Sequence, residues 1–289
     1  MTTLANKIDF AVILQARKAN PNGDPLNGNR PRMDYDGFGE ISDVCIKRKI
    51  RNRLLDAKNP ILVQSDDYKT DHAKSIKDRI DAAIPIEIQK DKEKFFKAVC
   101  ENWIDVRAFG QVLAFKSERS RKKKNEEIGD ESTGDTGVSI PIRGPVTVHS
   151  AFSIEPIRPE SIQITKSVSS ETTESGKKGS DTMGMKHRVD KAVYVFFGSM
   201  NPQLAEKTCF SDRDAEAIKS VLPKLFENDE SSARPAGSMQ VLKVFWWNHG
   251  CKTGKYSSAK VHSSLKVKPD GDFIVEEFPD LKPEIIDGF

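Results

Sequence analysis

Cysteine and histidine are scarce and scattered in this chain of 289 residues, with 4 Cys and 5 His. Cys45, Cys100, Cys209 and Cys251 form no CxxC pair, and only His249 lies close to one of them. That excludes a zinc-ribbon pattern and a disulfide framework, and it fits a reducing compartment. His72, His149, His187, His249 and His262 show neither metal-ligand spacing nor a triad-like partner. No apolar run is long enough to span a bilayer and the Met1 end carries no signal-peptide pattern, so the expected location is the cytoplasm, away from membranes. No GxxxxGK[ST] loop occurs, which argues against nucleotide hydrolysis, and there is no internal repeat. Net charge is lacking too: 46 Lys and Arg against 43 Asp and Glu leave +3. An anionic partner must therefore be recognised through where charge sits, not through its total.

What is present fits a soluble α+β protein: 37% hydrophobic residues, 31% charged ones, and enough length for a proper core. Lys7 to Arg17 alternates, with Ile8, Phe10, Val12, Leu14 and Ala16 on the apolar side, and predicts a strand with one buried face. An Asn-, Gly- and Pro-rich loop follows, then a helix from about Gly39 to Leu55. Two short helices are expected around Lys74–Ala83 and Lys92–Trp103, and "WIDVRAFGQVLAF" reads as a strand ending near Phe115. Residues 116–137 are polar and block-charged, as in a mobile loop. Ile162, Ile164 and Val168 alternate, as do Val189, Val193 and Val195, so two strands are expected around a tip at Ser169–Met185. "SDRDAEAIKSVLPKLF" is a helix capped by Ser211 and broken near Pro223, and "QVLKVFWWNHG" is a buried strand whose Trp246 and Trp247 must point to opposite faces. The stretch from Lys266 onward shows no clear organisation. Strand, helix, strands, helix, strand is most simply a ferredoxin-like sheet with insertions.

The helix "GEISDVCIKRKIRNRLL" has an unusual charge pattern. Ile46, Ile50 and Leu54 form the buried stripe, while Lys47, Arg48, Lys49, Arg51 and Arg53 crowd the remaining surface with Asp43 as the one acid in reach of Lys47. Lys47–Arg51 and Lys49–Arg53 are like-charge i, i+4 pairs, each unfavourable by roughly 0.2–0.5 kcal/mol. A polyanion relieves both, and neutralising these cations is expected to weaken its binding without disturbing the fold. Asn20, Asn22, Asn27, Asn29, Arg30 and Arg32 add donors beside the helix start. Asp24, Asp34, Asp36 and Asp43 lie among these cations and are read as their salt-bridge partners, not as metal ligands.

"NPNGDPLNGNRPRMD" followed by "ISDVCIKRKIRN", then "DVRAFG", "SIPIRGPV" and "TMGMKHRVDKAVYVFFGSMN", resembles in order the backbone subunit of the type I-C CRISPR effector complex, the Cascade family of the RAMP superfamily. The resemblance implies an RNA-recognition-motif-like palm (residues 5–58, 100–160 and 188–265), helical fingers (59–99), a β-ribbon thumb (160–187) and a tail (266–289), all within one domain. It implies a non-catalytic subunit that polymerises head-to-tail along a CRISPR RNA and presents it to target DNA beside other Cascade subunits, with no cofactor and no metal. The RNA-binding residues expected on this basis are Gln15, Arg17, Asn20, Asn22, Asn27, Arg30, Lys47, Arg48, Lys49, Arg51, Arg53, Arg143, Lys166, Met183, Met185, Lys186 and His187. Target-DNA contacts are expected from Arg119, Arg121, Lys122, Lys123 and Lys124 in the basic run of the 116–137 loop.

Three further signals bear on this expectation. "RAFGQVLAF" has Gln111 where an RNA-recognition strand carries an aromatic, which favours RNA held by its backbone over bases stacked on the sheet. Gly144, beside Arg143, marks either a close backbone approach or a bend before Pro145. Met183 and Met185 near a tip serve either as wedges between bases or as local packing. The alternative activity is an endoribonuclease of the same superfamily, with His187 or Asp181 as its reactive group.

Overall fold

β1 (Ile8–Ala19) is the central strand, and every residue from Ile8 to Ala16 is buried. The alternation predicted one covered face, but both are covered: Phe10, Val12, Leu14 and Ala16 enter one core, while Ala11 and Ile13 enter another. β2 (Gly23–Asp24) and β3 (Arg30–Pro31) pair within the Asn-rich loop, and β4 (Phe38–Ile41) leads into α1 (Asp43–Asp56). The structure, a computed structural model, describes residues 2–115, 138–165, 167 and 183–289.

α2 (Ile76–Ala83), α3 (Ile86–Gln89) and α4 (Lys92–Asn102) follow. The side chain of Ser75 caps α2 and that of Asp91 caps α4, each accepting from first-turn backbone N–H groups. The stretch expected to be a single strand divides in two. Ile104–Phe109 is a helix, α5, and only Gly110–Phe115 is extended, as β5. The cause is Asp105: its buried carboxylate accepts from the backbone N–H of Leu62 (2.8 Å) and Val63 (3.1 Å), which an extended segment would not place there. Gly110, at φ 78°, makes the turn from helix to strand.

β5 pairs with β6 (Val138–Arg143), after which β7 (Val146–Val148) and β8 (Ala151–Pro156) return to the main sheet. β9 (Glu160–Thr165) pairs with the Met183–Arg188 stretch of β10 (Met183–Met200), and the rest of β10 lies beside β1. One long strand thus belongs to the sheet and to a projecting ribbon. α6 (Pro202–Thr208) and α7 (Asp212–Val221) come next. Ser211 and Asp214 cap α7 reciprocally, and a 3-10 turn at Leu222–Lys224 ends it, as Pro223 requires.

β11 (Met239–Asn248) lies on the other side of β1, with Trp246 (3% exposed) and Trp247 (0%) buried in opposite faces. The region from Lys266, expected to lack organisation, is ordered. α8 (Ser258–Ser263) precedes the hairpin of β12 (Leu265–Val267) and β13 (Phe273–Val275), and β14 (Glu284–Asp287) pairs with β11. Its strands are too short for periodicity to reveal them. Val261 of α8, with Phe278 and Leu281 of this region, closes the second face of the sheet over Phe245 and Trp247.

The main sheet runs β14-β11-β1-β10-β8-β4 with antiparallel neighbours throughout, giving a mixed α/β fold around a central antiparallel sheet. α1, α6 and α7 pack on one face. A separate core joins α2, α4 and α5 to β5 and β6 through Ile80, Phe95, Val99, Trp103, Leu113 and Ile142. Among the described residues, no helix is long and apolar enough to cross a membrane.

Candidate nucleic-acid interface

The Asn-rich loop and α1 form one hydrogen-bonded unit. Ser42 caps α1 by accepting from Cys45 N (3.4 Å), and Asn22 Oδ1 in turn accepts from Ser42 N (3.0 Å) and Ser42 Oγ (2.9 Å). Asn20 is buried and donates to the Asn29 carbonyl (2.7 Å). Asn20 and Asn22 thus shape the loop, whereas Asn27 and Arg30 are exposed on it. Asp24 lies 3.7 Å from Arg32, and Asp34 organises a turn by accepting from the backbone N–H of Asp36 and Phe38. Gln15 is buried and accepts from Arg17 Nε (2.6 Å), leaving Arg17 exposed at the end of β1.

α1 buries Ile46, Ile50 and Leu54 as its pattern predicts. Of its five cations the sequence predicts an acid in reach of Lys47 alone, yet all five have partners. Lys47 pairs with Asp43 (2.9 Å) and Arg48 with Asp67 (2.8 Å). Arg51 reaches Asp105 (3.0 Å) and Arg53 reaches Asp56 (3.0 Å) and the Tyr68 hydroxyl (2.7 Å). Lys49 is paired with Asp229, which also holds Arg234, and its ammonium sits 5.2 Å from the Phe226 ring centre. Burial pushes the Lys49 ammonium below the ordinary lysine value, against the pull of Asp229. Acids from distant segments thus cancel the like-charge contacts that the helix alone would carry.

Exposure separates the five. Lys49 and Arg53 are buried, and Arg51 is mostly so. Breaking a buried pair costs about 3–5 kcal/mol, whereas exposed pairs contribute about 0–1 kcal/mol. Only Lys47 and Arg48 can exchange their acid for a phosphate without disturbing the fold.

The ribbon presents a different chemistry. Met183, Met185 and His187 share one face with Thr165, Gln163 and Ser161. Met183 (66% exposed) and Met185 (55%) are not packed into a core among the described residues, and the Gln163 amide lies 3.4 Å from the Met183 sulfur. The Ser161 hydroxyl lies 2.8 Å from His187 Nδ1. Lys186, half-buried on the opposite face, makes no ion pair among the described residues. Arg143 is exposed on β6, and the backbone that approaches Gly144 is the chain's own: a Cβ there would meet the Ala108 carbonyl at 2.2 Å. Lys166, Asp181 and the basic run from Arg119 through Arg121 and Lys122 to Lys123 and Lys124 lie outside the described residues, as do the 116–137 loop and most of the 169–185 tip. Among the described residues, no three His, Cys, Asp or Glu side chains are grouped to hold a metal ion.

The sequence profile described as CRISPR-associated protein Cas7 matches residues 6–285. The chain belongs to the Cas7 family. A Haloferax volcanii relative named CRISPR-associated protein Cas7 is 28% identical over 293 residues, covering 99% of this chain and 82% of the relative. Among solved structures, a chain of a CRISPR RNA-guided surveillance complex in a pre-nicking state is similar at TM-score 0.47 and 14% identity, covering 83% of this chain and 75% of that one. A chain of another CRISPR RNA-guided surveillance complex is similar at TM-score 0.43 and 15% identity, covering 83% and 68%.

In this Cas7-family chain, the residues that reading by motif missed are acids. Asp105 and Asp9 each interrupt an apolar run, and a carboxylate buried there must find hydrogen bonds or a cation. Asp9 finds His249 Nε2 at 2.8 Å, Lys7 Nζ at 3.3 Å and His262 Nε2 at 3.5 Å. His249 Nδ1 accepts from Lys255 N, so its proton sits on Nε2 and is donated to Asp9. Asp67 and Asp229 gave no signal, because nothing in their surroundings marks them as partners of α1.

Proposed function

We propose that the chain is a non-catalytic CRISPR RNA-binding backbone subunit of a type I-C Cascade surveillance complex, acting in the cytoplasm. In this reading copies follow the guide head-to-tail and present it to target DNA beside other Cascade subunits. The strand order β11-β1-β10-β8, with α1 and α7 on one face, is read as a ferredoxin-like palm. Residues 59–99 serve as fingers, the β9–β10 ribbon as thumb, and 266–289 as a tail that completes the palm.

The observation that carries the proposal is the closure of the sheet. Residues of the C-terminal region cover the face opposite the helices, so bases have no open sheet on which to stack. The remaining surface offers guanidinium, ammonium and amide groups: Arg17, Asn27, Arg30, Lys47, Arg48, Arg143 and Lys186. Such groups take hold of phosphate and sugar, and a subunit that must accept guides of any sequence needs contacts of that kind. Lys49, Arg51 and Arg53 support the surface from within, and Gln15, Asn20 and Asn22 shape it. Met183 and Met185 are apolar and exposed at the ribbon, suited to entering between bases, with Lys186 and His187 beside them.

The test is to assemble the purified protein on guide RNAs of several lengths with magnesium present, then measure complex mass and RNA integrity. The expected outcome is a copy number that rises with RNA length on intact RNA, as open head-to-tail contacts require. A fixed closed oligomer, or fragmented RNA, would contradict it.

A further inference from the structure

Arg17 and Lys191 are direct cross-strand partners between β1 and β10. Directly opposed residues of an antiparallel pair lie on the same face with their Cβ atoms about 4.5–5.5 Å apart, and like charges so placed destabilise a sheet. This face continues that of Ile13, Val193 and Val195, just beyond the edge of the core that the C-terminal region covers. Both side chains are exposed. Arg17 is tied to Gln15, a neutral acceptor, and Lys191 has no partner among the described residues. The nearest acid along the strand, Asp190, is held by Lys18. Lys191 also lines a hollow of about 220 Å³ with Ile154, Glu155, Pro156 and Pro269, yet Glu155 forms no ion pair with it.

The location gives the pair its meaning. Two residues beyond Arg17 the chain leaves β1 for the Asn-rich loop. Three residues before Lys191, β10 leaves the sheet as the ribbon that carries Arg188, Lys186 and Met185. An extended strand advances about 3.3 Å per residue, so Lys191 and Lys186 are roughly 17 Å apart along β10. The root where the two cations face each other thus lies between the Asn-rich loop and the ribbon, the two segments that the RNA-binding reading places against the guide.

We infer that Arg17 and Lys191 together form a phosphate-gripping subsite at the root of the ribbon, with Lys191 as a binding residue that no motif marks. The inference rests on the RNA-binding reading above. Two unrelieved charges are kept adjacent because a phosphate between them reverses the sign of their interaction.

The test compares wild type, Arg17→Ala/Lys191→Ala and Lys191→Glu in affinity for unstructured single-stranded RNA across a salt series, each with a thermal melt. Loss of the one phosphate contact held between the two cations should flatten the slope of log affinity against log salt by about 0.7. Lys191→Glu should weaken RNA binding yet raise the melting midpoint, since the new carboxylate pairs with Arg17. An unchanged slope in the double variant, or a lowered midpoint with unchanged affinity in Lys191→Glu, would overturn the subsite while leaving the RNA-binding reading intact. Absence of salt-dependent RNA binding in the wild type would overturn both.

Discussion

Arg51 Nε lies 3.0 Å from Asp105 Oδ2, and that carboxylate, 0% exposed, also accepts from the backbone of Leu62 and Val63. One acid thereby fastens α1 of the sheet domain to the helical core built around Trp103 and Phe95. This basic helix is consequently held by acids from three other segments, Asp67, Asp105 and Asp229, as well as by its own Asp43 and Asp56.

Asp105→Ala should lower unfolding free energy by about 3–5 kcal/mol, because it leaves Arg51 and two backbone N–H groups without their acceptor. Asp67→Ala, which removes an exposed partner of Arg48, should cost less than about 1 kcal/mol. Urea denaturation of both variants checks the contrast.

The five cations should separate into two functional classes. Lys47→Ala/Arg48→Ala should melt like the wild type and flatten the salt dependence of RNA affinity by about 1.4. Lys49→Ala/Arg53→Ala should lose at least about 3 kcal/mol of stability by leaving Asp229 with Arg234 alone and by removing the buried Arg53 contacts to Asp56 and Tyr68. Thermal melts and an RNA-binding salt series, run on both variants, decide this.

Much of this architecture is legible in the sequence and some is not. The Ile46, Ile50 and Leu54 stripe, the Ser211 cap and the Trp246–Trp247 strand follow from local patterns, and the structure contains them. The partners of Lys49 and Arg51 do not follow, because Asp229 is 180 positions away and Asp105 is 54. Local charge patterning detects only neighbours such as Asp43. The same limit hid the cover on the second sheet face: alternation in β1 marks Asp9 and Gln15 as solvent-facing, yet a remote segment buries them. Asp105 illustrates the converse, since its need for backbone donors makes a helix of a stretch whose composition suits a strand.

Acid should weaken the fold through the covered face. Burial alone raises the Asp9 carboxyl, but hydrogen bonds from His249 and His262 and the charge of Lys7 more than offset that and hold it well below its ordinary 3.8. Ionised Asp9 therefore stabilises the fold above that pH, and the contribution is lost as pH falls below it. His149, lowered from 6.5 by burial and by His262, favours its neutral form when folded. Its contribution is complete above pH 6.5 and declines below it, because the unfolded chain takes up the proton first. Stability measured from about pH 8 to about pH 2 should fall in two stages, and Asp9→Asn should shrink the lower one, to which other lowered carboxylates such as Asp214 also contribute.

Met183→Ser/Met185→Ser should leave the melting midpoint unchanged, since both side chains are exposed, while impairing assembly on RNA. Sedimentation of protein–RNA mixtures reads the second effect. Normal assembly would mean that the ribbon methionines are not wedges.

The most direct test of the account is the affinity of the wild-type protein for several unrelated single-stranded RNAs across a salt series, with RNA length checked afterwards. Recognition through the backbone predicts one common negative slope, similar affinities for every sequence, and RNA recovered at full length. Affinity confined to one sequence, indifference to salt, or shortened RNA would contradict it.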